Sequence, residues 1–235
     1  MNITNQNSFD IINQPNHYNP LDFIVTKSNQ NAYNAITNWS RKMLLRKWGI
    51  LPFKNVLLIT GPEKSGKTYL AYLWKEKSNA IFVNYKNSIQ DYNNYNSLII
   101  DDIDKIEEKK LLHLFNWANE NNKFLLLTSN SKKISKKLLD LESRLKSVNT
   151  ISIDLPDDYM MEVLILKHCH NLQLNLPKNI IYHLVQILPR NFQIIELAIN
   201  IIYNTASINK INKKNISNIL DQALDPAKDL GYRIK

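Results

Sequence analysis

Gly61-Pro62-Glu63-Lys64-Ser65-Gly66-Lys67-Thr68 fits the pattern G-x-x-x-x-G-K-[S/T]. The apolar run Val56-Leu57-Leu58-Ile59 before it reads as a buried strand, and residues 69–77 after it read as a helix. A phosphate-binding loop requires strand, loop and helix in that order. Glycine lets the backbone wrap closely around an anion, and the N–H groups of the loop and of the helix N-terminus point at it. Lys67 then reaches the β- and γ-phosphates, and the Thr68 hydroxyl holds Mg²⁺. All eight residues of the stretch are therefore candidate nucleotide ligands. The plain alternative is an ordinary glycine turn before a helix.

The 235-residue chain has room for one large domain or a domain with a smaller one appended, and its 44% hydrophobic content suffices for a core. No apolar run approaches the length of a membrane span. Residues 1–10 are polar and lack the basic and apolar regions of a signal peptide. Cys169 is the sole cysteine, which excludes an internal disulfide. These features together predict a soluble cytoplasmic protein. The net charge of +9 permits contact with nucleic acid or an acidic partner without requiring it.

A second strong signal is Ser97-Leu98-Ile99-Ile100-Asp101-Asp102, a buried strand that delivers two carboxylates at its C-terminal end. Ligands of open α/β sheets bind outside that end. Asp101 is placed to hold Mg²⁺, directly or through water, and Asp102 to orient the attacking water. The alternative is a turn in which an aspartate caps the next helix.

Elsewhere, residues 1–20 read as an extended arm in which Gln6, Phe9 and Ile11 form a short peptide suited to a partner's groove. Residues 28–48 read as a helix capped by Ser28, 80–84 as a strand and 85–96 as mostly loop. Residues 103–121 read as one helix, 123–129 as a strand ending in Ser129-Asn130, 134–145 as a short helix and 150–154 as a fifth strand. Beyond Pro156 the strands stop, and 157–172, 177–188, 191–204 and 215–224 read as four helices, with Pro177 at a first helical position. The division is an arm at 1–20, an α/β domain at 21–155 and a helical domain at 156–235. His168 and His170, two apart on a helix, point to different faces and make poor paired metal ligands.

This order of elements resembles the AAA+ ATPase family, a P-loop core with a five-stranded parallel sheet followed by a small all-α lid. Within it the chain resembles the DnaA-related branch, and the Hda-like regulators most. Leu98-Ile99-Ile100-Asp101-Asp102-Ile103 is similar to the Walker B strand, and Leu126-Leu127-Thr128-Ser129-Asn130 to the sensor 1 strand, which gives Asn130 a catalytic part. Asp22-Phe23-Ile24-Val25 with the following residues 27–32 is similar to the stretch that packs on adenine, so Phe23 and Val25 join the nucleotide-binding set. Leu141-Glu142-Ser143-Arg144-Leu145 is similar to the arginine-finger motif, with Arg144 acting on a neighbour's nucleotide. A surface arginine paired with Glu142 or capping the short helix is the alternative for Arg144.

The resemblance implies ATP or ADP with Mg²⁺ as cofactors. It implies the DnaA initiator as partner and the polymerase sliding clamp as a second one, held through Gln6, Phe9 and Ile11, which would bring the protein to the nucleoid. It implies a regulator of replication initiation that stimulates ATP hydrolysis on DnaA. Homo-oligomerisation and direct DNA contact stay open. Two departures stand out. DnaA continues into a helix-turn-helix domain, for which a chain ending at Lys235 leaves no room. Gln193 stands where the sensor 2 arginine is expected, with Arg190 about one turn earlier. A glutamine cannot neutralise γ-phosphate charge, which implies slow turnover. An active ATPase of the helicase-loader kind and a DNA-binding initiator paralogue remain alternatives.

Overall fold

The computed structural model describes residues 22–38, 53–84, 88–132 and 137–206, together with residues 216 and 220. Five strands form one wholly parallel sheet: β1 Val56–Thr60, β2 Ile81–Phe82, β3 Ser97–Ile100, β4 Phe124–Ser129 and β5 Asn149–Ser152. Their spatial order is β2-β3-β4-β1-β5. The central strands β1, β3 and β4 are buried almost throughout and carry unbroken apolar stretches, because both faces are covered. The alternation of side chains then sorts them between two cores. Leu57, Ile59, Ile99 and Leu126 pack with helices α1 Gln30–Thr37 and α2 Lys67–Ser78. Val56, Leu58, Leu98, Ile100, Leu125 and Leu127 pack on the other face with α3 Glu108–Glu120 and α4 Leu139–Ser147.

A third core joins α5 Asp158–Asn171, α6 Lys178–Ile187 and α7 Phe192–Ala206 through Met161, Ile165, Leu184, Ile195 and Ile199. Ile216 and Leu220, both helical, close it. Asp157 caps α5 by accepting from the Met160 N–H at 2.8 Å. No described helix is long and apolar enough to cross a membrane.

Several boundaries differ from the sequence expectation. The single helix expected over 103–121 is a 3₁₀ turn, Ile103–Lys105, then α3, because Ile106 adopts an extended φ of −100° and ψ of 142°. The expected strand over 80–84 shortens to β2. Helix α1 starts at Gln30 rather than at a Ser28 cap. The preceding residues form a turn in which Asn29 accepts from the Thr26 N–H at 2.9 Å and donates to the Ile24 carbonyl at 2.8 Å. Pro177 precedes α6 as its N-cap rather than opening it. Most of the residues 39–52 and 207–235, and all of the arm at 1–20, lie outside the described residues.

Candidate functional site

The loop after β1 is pinned where it leaves the strand. The Gly61 N–H donates to the Ser129 carbonyl at 3.2 Å, and the Thr60 and Ser152 hydroxyls meet at 2.9 Å. A Cβ on Gly61 would lie 2.9 Å from the Ile153 Cβ, so a side chain there would push the loop off β5. Gly66 has φ of 93°, the left-handed region that glycine adopts without strain. It also lies under the Phe23 ring, 2.9 Å from where a Cβ would be. Lys64 adopts φ of 61° within the same loop. The Ser65 hydroxyl is buried and has no hydrogen-bond partner among the described residues.

Lys67, in the first turn of α2, is buried, and its ammonium donates to the Gly61 carbonyl at 3.0 Å and the Pro62 carbonyl at 2.6 Å. Burial pulls its pKa below the ordinary lysine value, while Asp101, Asp102, Glu63 and Asp104 oppose that shift. Thr68 donates to Asp101 Oδ2 at 2.8 Å, and Thr128 on β4 donates to Asp101 Oδ1 at 2.5 Å. The Thr128 hydroxyl in turn accepts from the Asp102 N–H at 2.8 Å. Asp102 stands at φ of 56°, where its carboxylate pairs with Lys105 at 2.7 Å and accepts from the Asn130 amide at 3.2 Å. It makes no side-chain cap, so the capping alternative does not describe it. The partnership with Asp102 raises the pKa of exposed Lys105.

These groups line one open cavity of about 750 Å³, with Glu63, Lys67, Thr68, Asp101, Asp102 and Asn130 on its walls. Thr68 and Asp101 offer a hydroxyl and a carboxylate side by side. That is hard-oxygen chemistry suited to Mg²⁺, which takes its remaining ligands from phosphate and water. Among the described residues no group of three or more His, Cys, Asp or Glu could hold a metal by itself.

The remaining expected residues divide. Phe23 lies against Gly66, stacked on Tyr33 with centroids 5.7 Å apart and tilted on Tyr69 at 5.3 Å, an aromatic group at the edge of the loop. Val25 is half-buried and does not line the cavity. Arg144 also lies off the cavity, bonding Asp140 at 3.0 Å with its guanidinium 6.0 Å from the Phe53 ring centre. Glu142 pairs with Lys146 and not with Arg144. Gln6, Phe9 and Ile11 lie outside the described residues. In the helical part, Gln193 donates its backbone N–H to Asn191, and Arg190 is bound to the Pro156 carbonyl at 3.1 Å and to Asp158 at 2.5 Å. Burial lowers the pKa of His168, on α5, against the pull of Glu196.

Two groups escape the sequence reading. Glu196 on α7 reaches Lys64 of the loop at 2.5 Å, a tie across 132 positions that no local pattern signals. Asp104 accepts from the Ser129 hydroxyl and the Asn130 N–H, each at 2.7 Å. Its only sequence signal is an acid two places after the Asp-Asp pair.

No family model matches the sequence. Among curated proteins it is similar to the chromosomal replication initiator protein DnaA of Francisella tularensis subsp. novicida, at 30% identity over 66% of this chain and 38% of that protein. The chain thus spans less than half the length of the curated relatives it matches. Among solved structures it is similar to domain III of the Thermotoga maritima replication initiation protein DnaA. The TM-score is 0.65 at 18% identity, covering 89% of this chain and 98% of that one. It is also similar to AMPPCP-bound DnaA from Aquifex aeolicus, with a TM-score of 0.57 at 19% identity over 90% of this chain and 71% of that one.

Proposed function

We propose that this chain, which is similar to DnaA proteins over part of their length, is a DnaA-related AAA+ protein that binds ATP or ADP with Mg²⁺ and regulates the initiation of chromosomal replication by stimulating ATP hydrolysis on DnaA. The observation that carries the nucleotide part is the placement of Lys67, Thr68 and Asp101 around one cavity at the C-terminal end of a parallel sheet. The AMPPCP bound by the Aquifex relative supports the same ligand class. Residues 61–68 cradle the phosphates, and the Phe23 group meets the base end. Thr68 and Asp101 hold the metal, which neutralises phosphate charge when bound. Residues 21–155 form the nucleotide domain, and 156–235 the lid over it.

Arg144 acts in trans in this reading. Its distance from its own cavity supports that role, since a finger for a neighbour's nucleotide belongs on an outer face. The N-terminal Gln6, Phe9 and Ile11 tether the protein to the sliding clamp. The test is single-turnover hydrolysis of ATP preloaded on DnaA, with clamp on DNA. Arginine fingers supplied in trans are worth about 10³–10⁵ in rate in GTPases. The parent protein accelerates hydrolysis, and Arg144→Ala loses the acceleration while still binding nucleotide. Equal stimulation by both forms removes Arg144 from the role, and no stimulation by the parent removes the regulatory reading.

A second reading, an active ATPase of the helicase-loader kind, draws on the Asp101, Asp102 and Asn130 set, which is assembled within the chain. The lid supports the first reading. Neither Gln193 nor Arg190 brings positive charge to the loop, because Arg190 is held by Pro156 and Asp158. Intrinsic turnover is therefore expected below about 1 per second, the low end of ordinary enzyme rates. Gln193→Arg is expected to raise it. Steady-state hydrolysis by the parent at motor-like rates, dependent on Asp102, favours the second reading.

A further inference from the structure

Asp104 sits in the 3₁₀ turn beyond Asp102 and does not line the cavity. Its Oδ2 takes the Ser129 hydroxyl and the Asn130 N–H, both at 2.7 Å. Ser129 Oγ also accepts from the Ser131 N–H at 3.1 Å, so the turn that ends β4 closes on itself and is tied to Asp104. Asn130 is exposed, and an exposed side chain on an untethered strand end samples several rotamers. Here its backbone is held by a charge-assisted bond and its amide meets Asp102 at 3.2 Å.

We infer that Asp104 is a positioning residue: it fixes the end of β4 so that the Asn130 amide faces the Asp102 carboxylate. The inference rests on the reading of the cavity as a nucleotide site, where Asp102 and Asn130 orient the attacking water. Asp104 itself does not line the cavity and acts through Asn130. Its effect on affinity has the opposite sign to its effect on rate. A carboxylate this near Lys67 is felt by that ammonium, and it opposes binding of an anion at the loop. Removing it leaves affinity unchanged or slightly tighter while it lowers the rate. A residue that merely held the fold together would weaken both.

The experiment compares Asp104→Ala, Asp104→Asn, Asn130→Ala and the double variant Asp104→Ala/Asn130→Ala in the full chain. A fluorescent adenine nucleotide reads affinity, and single-turnover hydrolysis of ATP with Mg²⁺ reads rate. The ¹⁵N–¹H signal of the Asn130 side-chain amide, identified by its loss in Asn130→Ala, reads position. Misplacement of a catalytic group by an ångström costs about 10²-fold, the loss expected for Asp104→Ala. Asp104→Asn keeps an acceptor oxygen and recovers most of the rate. The double variant is no slower than Asn130→Ala alone, because both changes remove one unit. An Asp104→Ala rate equal to the parent's, or a double variant showing the product of the two single losses, overturns the inference. If no form binds or hydrolyses nucleotide, the proposed function falls separately. The amide signal then decides: a shift in Asp104→Ala that Asp104→Asn restores supports the positioning, and an unmoved signal overturns it.

Discussion

Lys67→Ala greatly weakens adenine-nucleotide binding and leaves the fold standing. The ammonium already lies over the loop, 3.0 Å and 2.6 Å from its two carbonyls, within reach of phosphate oxygens bound there. A hydrogen bond to a charged group contributes about 1.5–3 kcal/mol. Losing two such bonds weakens affinity by about 10²-fold or more, at 1.4 kcal/mol per decade. The fold loses little. Alanine is the best helix former in that first turn of α2. The substitution also removes a charge whose burial is unfavourable, as the lowered pKa of Lys67 records. Titration with a labelled nucleotide and a thermal melt of both forms check the two halves. Equal affinity in mutant and parent contradicts the placement of the phosphates.

Trp74→Ala has the largest expected effect on stability. The indole is fully buried on α2, among Ala32, Ile36, Leu57, Leu70, Ile99 and Leu126, where the loop's helix meets the sheet. Truncating a buried tryptophan costs about 3–5 kcal/mol, through lost transfer energy and the cavity left behind. Total stabilities are about 5–15 kcal/mol, so much of the margin goes. At this chain length each kcal/mol moves Tm by about 2–4 °C, and a drop of about 10 °C follows. Trp74→Phe fills more of the space and falls between the two. A melt within a few degrees of the parent contradicts the packing of α2 on the sheet.

Much of this arrangement is legible in one dimension. The loop declares itself because its glycines and lysine are contiguous. Strands β1, β3 and β4 do so because burial on both faces leaves unbroken apolar runs such as Leu98-Ile99-Ile100. What hides is whatever neighbouring strands bring together. Thr128 meets Asp101 because β3 and β4 pair in register, with Ile100 beside Leu127. Asp104 reaches Asn130 through the same adjacency, and Phe23 reaches Gly66 across the whole of α1 and β1. The break at Ile106 is hidden for a different reason. Its residue type fits a helix, while the left-handed Asp102 and the Lys105 pair set the local path of the chain. The helical boundary errors at Ser28 and Pro177 are one or two residues wide, at starts that no side-chain cap marks.

The central claim, that the chain is a nucleotide-binding protein, is tested most directly by equilibrium titration of the parent chain with a fluorescent ATP analogue in Mg²⁺, competed by unlabelled ATP and ADP. The account predicts saturable binding at one site per chain, displaced by both nucleotides, with a Kd of about 1 μM or tighter, near −8 kcal/mol. Absence of saturable, competable binding into the millimolar range, in a chain whose melt shows it folded, contradicts it.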